Sequence, residues 1–184
     1  MRKTSLLAPL LIAAAAGLAG GYYLNHWLHR EAPGATRVDT AAAPADAVQR
    51  PLFVLPDLTG KPQAISNWNG KVVMVNFWAS WCPPCRREIP SFIKLQDAYR
   101  DKGFVIVGVA IDTAQNVQDF IDPLGVNYPM LHGQTEAIDI AKAYGDHLGV
   151  LPYSVIIDRS GKIVYRHRNE LSYEAAEAVI KPLL

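Results

Sequence analysis

The sequence predicts an α/β domain with a mixed central sheet flanked by helices, standing behind an N-terminal membrane segment. Three observations carry that prediction. Lys71 to Phe77 and Phe104 to Ile111 are strongly apolar, β-branched runs of the kind found in strands buried on both faces. Between them, a segment from Pro83 to Tyr99 sets Ile89, Phe92, Gln96 and Tyr99 on one stripe at helical spacing. Beyond residue 150, two short apolar runs flank the turn Arg159-Ser160-Gly161-Lys162, and a helical segment closes the chain. Strand–helix alternation ending in a hairpin and a helix indicates three layers around one core.

The elements follow in order. Arg2 and Lys3 precede an uncharged stretch from Thr4 to Asn25, about 30 Å long as a helix and so matched to a bilayer core. A cleaved signal peptide competes with this reading, since Ala16, Ala19 and Gly20 suit a signal peptidase. The run is longer than a usual signal-peptide core, and Tyr22, Tyr23 and Trp27 form an interfacial aromatic belt. Residues 1–28 are therefore predicted to be a signal anchor with Arg2 and Lys3 inside and the rest of the chain outside. Residues 29–50, rich in Ala, Pro, Thr and Gly, cannot bury enough to offset their ordering and read as a flexible linker.

The folded domain is predicted over 51–184. It opens with strands at Leu52 to Leu55 and Gln63 to Ile65 around the turn Thr59-Gly60-Lys61-Pro62. After the first buried strand comes the Pro83 to Tyr99 helix, kinked by Pro90, which removes an internal hydrogen bond. The Phe104 to Ile111 strand leads to a helix at Thr113 to Ile121, a strand at Tyr128 to Leu131 and a helix at Thr135 to Tyr144 stopped by Gly145. Strands at Tyr153 to Asp158 and Ile163 to Arg166 precede a last helix from Leu171, capped by Ser172 or Asn169.

Composition narrows the chemistry. A net charge of +1 across 184 residues gives no sign of nucleic-acid binding, and Arg166-His167-Arg168 reads as a solvated strand end. Two cysteines, three apart, are too few for a disulfide-stapled scaffold or a four-thiolate zinc site. A redox pair is what remains. Cys82 sits where a buried strand meets a helix start, whose free N–H groups and dipole favour a thiolate. Cys85, one turn deeper, fits the resolving role: Cys82 attacks a disulfide and Cys85 releases the mixed disulfide. Pro83 and Pro84 suit the first helical turn but remove donors that would solvate the thiolate. With no histidine between the cysteines, the pair leans towards a reductant, although Arg86 and Arg87 pull the other way.

The stretch Asn76-Phe77-Trp78-Ala79-Ser80-Trp81-Cys82-Pro83-Pro84-Cys85 resembles a thioredoxin-fold active site. Residues 51–184 resemble the TlpA/ResA/CcmG group of membrane-anchored thioredoxin-like proteins, the TlpA-like members most of all. That resemblance implies an extra strand–helix insertion, with Asp112 to Met130 in its slot. It also implies a protein-disulfide reductase with no cofactor beyond its Cys82–Cys85 disulfide. Such an enzyme is anchored by one pass in the bacterial inner membrane and faces the periplasm. Its implied clients are apocytochromes c or copper-delivery proteins, and its implied electron donor is a membrane thiol carrier. Leu151-Pro152 matches the cis-proline loop, where the backbone of Leu151 pairs with an extended client; Trp81, Pro83 and Pro84 complete the client-binding rim. Glu88 stands where ResA-like and CcmG-like members carry an active-site glutamate. It is a candidate proton carrier if burial raises its pKa, or else a first-turn complement to the helix dipole. Asn76 departs from the buried aspartate of thioredoxins proper and cannot exchange a proton, and Tyr153 is bulkier than the usual threonine.

Two other activities fit the fold. A Sco-like copper chaperone uses two cysteines and a histidine, for which His132, His147 and His167 are candidates, but its cysteines are usually spaced one residue wider. A peroxidase of the peroxiredoxin type places its cysteine in a Pro-x-x-x-Thr-x-x-Cys setting that this chain lacks.

Overall fold

A computed structural model describes residues 48–184. The predicted anchor at 1–28 and the linker from 29 to 47 lie outside the described residues. Among the described residues, no helix is long and apolar enough to cross a membrane.

The chain enters by pairing, so the domain starts slightly before the predicted boundary at 51. Gln49 bridges Lys162, and the Val48 carbonyl accepts from the Ile163 amide. A small hairpin follows, β1 (Val54–Pro56) against β2 (Pro62–Ala64), then a 3-10 turn at Ile65–Trp68. β1 begins later than predicted because Leu52 is solvent-exposed and the Phe53 carbonyl is taken by the Ile65 amide. The remaining elements are β3 (Val72–Trp78), α1 (Pro83–Tyr99), β4 (Phe104–Ile111), α2 (Ala114–Ile121), β5 (Met130–Gly133), α3 (Thr135–Ala143), β6 (Tyr153–Ile157), β7 (Ile163–Arg168) and α4 (Tyr173–Ile180). Asp112 to Met130 thus contributes a helix and then leads into a strand.

One sheet in the order β5-β4-β3-β6-β7 forms the middle layer, with β3, β4 and β5 parallel and β6 and β7 antiparallel to their neighbours. All seven residues of β3 are buried, which explains its unbroken apolar run. Its alternate residues divide the core in two. Val72, Met74 and Trp78 face α1, α2 and α4, whereas Val73, Val75 and Phe77 face α3 and the β1–β2 hairpin. Alternation puts Asn76 on the first of these faces, a polar residue in an apolar layer. Its partner across β4 is Gly108, where a Cβ would lie 2.3 Å from the Met130 sulfur; only a residue without a side chain lets Met130 pack there.

Helix α1 has the predicted limits. Its stripe of Ile89, Phe92, Gln96 and Tyr99 is buried, and Pro90 sits on its exposed side without breaking it. Gln96 reaches the sheet, accepting from the Ile106 amide at 2.8 Å. The last helix is shorter than predicted. Ser172 caps it through the Ala175 amide, and the chain tightens to a 3-10 turn at Lys181–Leu183, where Pro182 has no N–H to give. Asn169 is not a cap; it adopts φ of 74° in the loop after β7. The strand end at 166–168 is solvated as predicted, with Arg166 and Arg168 exposed, and both arginines also reach back to the chain. Arg166 donates to the Tyr144 carbonyl, Arg168 donates to that of Gly145, and the Arg168 guanidinium stacks on Tyr153.

Candidate active site

Strand β3 delivers the chain from the middle of the sheet to a short loop, and α1 begins at its end. Cys82 is the N-cap of that helix and is joined to Cys85 in a disulfide whose Cα atoms are 5.3 Å apart. Both sulfur-bearing residues are largely buried, Cys85 completely. The first free amide of the helix is that of Cys85, because Pro83 and Pro84 have none, and it donates to the Cys82 sulfur at 3.4 Å. A reduced Cys82 keeps this single donor from the first turn, where a helix end without prolines offers more. The two arginines beyond are committed elsewhere. Arg86 lies over the Phe120 ring and Arg87 pairs with Glu170 at 2.7 Å.

One turn along α1 from Cys85, Glu88 points into the core and is only 1% exposed. Its Oε1 accepts from Asn76 Nδ2 at 2.8 Å, and its Oε2 accepts from the Leu171 amide at 3.0 Å. Asn76 Nδ2 also donates to Ser154 Oγ at 3.0 Å. Asn76 and Ser154 are directly opposed in the β3–β6 ladder, so their side chains share the face that α1 covers. Burial pushes the Glu88 carboxyl up to about 8; the Leu171 and Asn76 hydrogen bonds oppose that rise, and the charge of Glu170 adds to it. Tyr128 lies close enough to feel Glu88. Burial first, and that charge second, hold its phenol above the ordinary range, and its hydroxyl has no hydrogen-bond partner among the described residues.

On the other side of the cysteine loop stands Asp112, at the end of β4. It accepts from the Ser80 amide and hydroxyl, the Thr113 amide and the Asn116 side chain, at 2.6 to 3.1 Å. Burial raises its pKa, but these hydrogen bonds outweigh burial and leave it below the ordinary carboxylate value. Asp112 thereby ties the loop that carries Cys82 to the start of α2.

The Leu151–Pro152 peptide bond is cis, as the resemblance implies. Leu151 is half-buried, and with Trp81, Ile111, Ile138 and Gly149 it lines a mainly apolar depression. Trp81 is 65% exposed, and Pro83 is also open to solvent. Tyr153 adds no bulk to this rim: it is fully buried on the far side of the sheet, stacked on Phe77 and donating to the Tyr144 carbonyl. The three candidate copper-binding histidines do not gather. His132 is on β5 and His167 on β7, the two opposite edges of the sheet, while His147 follows α3 in an exposed loop. Among the described residues, no three His, Cys, Asp or Glu cluster to hold a metal.

Ser154, Asp112, Tyr128 and the Leu171 amide join the site only through the fold. For Ser154 the available signal was a hydroxyl inside the otherwise apolar run Tyr153–Ile157.

The chain matches the family described as Redoxin over residues 41–180. The thiol-disulfide oxidoreductase ResA of Bacillus thuringiensis (strain Al Hakam) is 34% identical over 136 residues, which cover 73% of this chain and 76% of that protein. ResA of Halalkalibacterium halodurans is also 34% identical, over 71% of this chain and 74% of its own. Among solved structures, a thiol:disulfide interchange protein of the thioredoxin family from Chlorobium tepidum TLS superposes with a TM-score of 0.69. It is 31% identical and covers 76% of this chain and 97% of its own. The thioredoxin domain of a thiol-disulfide oxidoreductase from Bacteroides vulgatus gives 0.63 at 27% identity, over 73% and 96%.

Proposed function

The chain belongs to the Redoxin family and is a thiol–disulfide oxidoreductase of thioredoxin fold, and from that premise we propose that it reduces protein disulfides outside the cytoplasm. The observation that carries this reading is the arrangement of Cys82 at a helix start, Cys85 beneath it and Glu88 one turn on. In the reduced enzyme the Cys82 thiolate attacks a client disulfide, and one client sulfur leaves as a thiolate that takes up a proton. The Cys85 thiol passes its proton to the Glu88 carboxylate and attacks Cys82. The Cys82–Cys85 disulfide forms, the second client thiolate leaves, and the Glu88 proton returns to it through water. Two electrons pass from the dithiol to the client; one client proton comes from Cys85 by way of Glu88, and the other comes from the water that took the Cys82 proton when the thiolate formed. A raised Glu88 suits this relay, because a carboxyl that titrates near the thiols exchanges protons with them at little cost.

The direction rests on the scarcity of donors at Cys82. Two prolines and redirected arginines leave its thiolate weakly stabilised, so the dithiol gives up electrons readily. Trp81, Pro83, Pro84 and Leu151 form the client-facing rim, with Pro152 fixing the Leu151 loop. Residues 1–28 anchor the enzyme in the inner membrane, and the domain faces the periplasm. A membrane thiol carrier recharges the dithiol there, and the clients are apocytochromes c or copper-delivery proteins.

Trapping tests this. Cys85→Ser expressed in cells should accumulate mixed disulfides through Cys82, and mass spectrometry should identify an apocytochrome or a copper protein in them. Failure to trap any client while Cys82 remains alkylatable removes the reductase reading.

A further inference from the structure

Glu88 presents an unusual accounting problem. Each of its oxygens receives an N–H, one from Asn76 and one from Leu171, an arrangement suited to a charged carboxylate. Once the carboxyl is protonated it carries a hydrogen of its own, and neither partner in this arrangement accepts it. The Leu171 donor is backbone and cannot reverse. Asn76 and Ser154 can, because an amide exchanges donor for acceptor by a half-turn and a hydroxyl serves as either.

We propose that Asn76 and Ser154 are positioning residues that form a reversible adapter, giving Glu88 hydrogen bonds of the correct sense in both its charged and its neutral form. With Glu88 charged, Asn76 Nδ2 donates one hydrogen to Glu88 Oε1 and the other to Ser154 Oγ, the arrangement observed. With Glu88 neutral, the Asn76 amide turns over. Oδ1 then occupies the place of Nδ2 and accepts both the Glu88 Oε1–H and the Ser154 hydroxyl. Both hydrogen bonds survive with their direction inverted. The only bonds made and broken are the S–H of Cys85 and the O–H of Glu88, so the proton count closes. Asn76 itself never exchanges a proton, which resolves the departure from an aspartate: a second carboxylate here would repel the first, whereas an amide follows it.

The inference rests on Glu88 as the proton carrier. The groups that face Glu88 come from five directions. Cys82 and Cys85 share its helix, Asn76 comes from β3 and Ser154 from β6. Glu170 and the Leu171 amide come from the loop after β7, and Tyr128 from the segment before β5. Arg87 faces Glu170 rather than Glu88. In the disulfide form the cysteines do not titrate, and Tyr128 stays neutral throughout the range in which Glu88 ionises.

The test is NMR of the full-length, disulfide-bonded protein in detergent micelles, with labelled Glu carboxyl carbons and Asn side-chain amides. Above the Glu88 midpoint, the Asn76 Hδ2 protons should show cross-relaxation to the Ser154 Hβ protons; below it, that signal should disappear. Ser154→Ala should move the Glu88 midpoint upward by about one pH unit, because in the charged state an Asn76 amide hydrogen is left without an acceptor, whereas in the neutral state Asn76 Oδ1 loses one donor and keeps that of Glu88; Ser154→Thr should restore it. Glu88→Gln supplies an independent arm. Its carbonyl must face Leu171, so its amide faces Asn76 and holds Asn76 turned over at every pH, with no Hδ2–Ser154 signal. A signal that persists through the titration, a midpoint unmoved by Ser154→Ala, or a signal present in Glu88→Gln overturns the adapter. The carrier reading fails separately, if Glu88→Gln leaves the pH profile of insulin reduction unchanged.

Discussion

Two carboxylates flank the cysteine loop, both nearly out of solvent, and they are driven in opposite directions. Asp112 is 6% exposed and held below its ordinary pKa; Glu88 is 1% exposed and raised to about 8. The difference lies in the supply of donors. Asp112 sits where a strand has ended and a helix has not yet begun, so backbone N–H groups are free to point at it, and it collects four donors. Glu88 sits between a helix and the middle of a sheet, where backbone amides are spent on the ladder. One loop amide and one side chain are what remain. Burial alone therefore does not set the charge of a carboxyl here; the supply of donors within reach, side chain and backbone together, does.

The largest break in this comparison comes from removing the ionisation of Glu88. Its folded pKa lies above its ordinary value of 4.5, so its contribution to stability is complete below that pH. It is lost as pH rises towards 8, where the folded state gives up its proton as well. The disulfide-bonded protein should lose on the order of 5 kcal/mol across that window from this group. Glu88→Gln should lack that slope in urea melts taken at a series of pH values. An equal slope in both proteins would mean Glu88 ionises normally.

Asp112→Ala sharpens the contrast from the other side. It should cost about 2 kcal/mol at neutral pH, since the amides of Ser80 and Thr113 lose their acceptor. Because the Asp112 pKa is depressed, its contribution is present above the ordinary value of 3.8 and fades as pH falls. The deficit of the variant should shrink in acid, while the decline between pH 4.5 and 8 remains. The smallest effect belongs to Glu170→Gln. Removing that negative neighbour should lower the Glu88 midpoint by a few tenths of a pH unit, read from its carboxyl carbon; an upward shift would contradict the repulsion.

The parts legible in the sequence were those written locally. Pro83–Tyr99 and Phe104–Ile111 were predicted with the limits they have, because a helical stripe and a fully buried strand each repeat one signal over many residues. Glu88 was legible through the resemblance, since it stands three residues after Cys85 at the position of the family's glutamate. The partners that define its chemistry were not. Ser154 lies 78 residues from Asn76 in the chain, and Leu171 lies 83 from Glu88. Only the register of β3 against β6, and the path of the loop after β7, bring them together. The strand predicted at Tyr128 to Leu131 slipped to Met130–Gly133 for a related reason: pairing with Gly108 to Ile111 on β4 sets its limits, and Pro129 contributes a carbonyl but no amide. From the sequence, Asn76 reads as the loss of an exchangeable proton; in the fold it is a side-chain donor to Glu88.

The Leu171 amide donates to Glu88 at the head of α4, and this makes it a built-in gauge. A backbone hydrogen resonates and exchanges differently when it faces a carboxylate than when it faces a carboxylic acid. The protonation state at the buried end of the redox helix is thus displayed at an ordinary peptide group, where it can be followed during turnover without a probe on either cysteine.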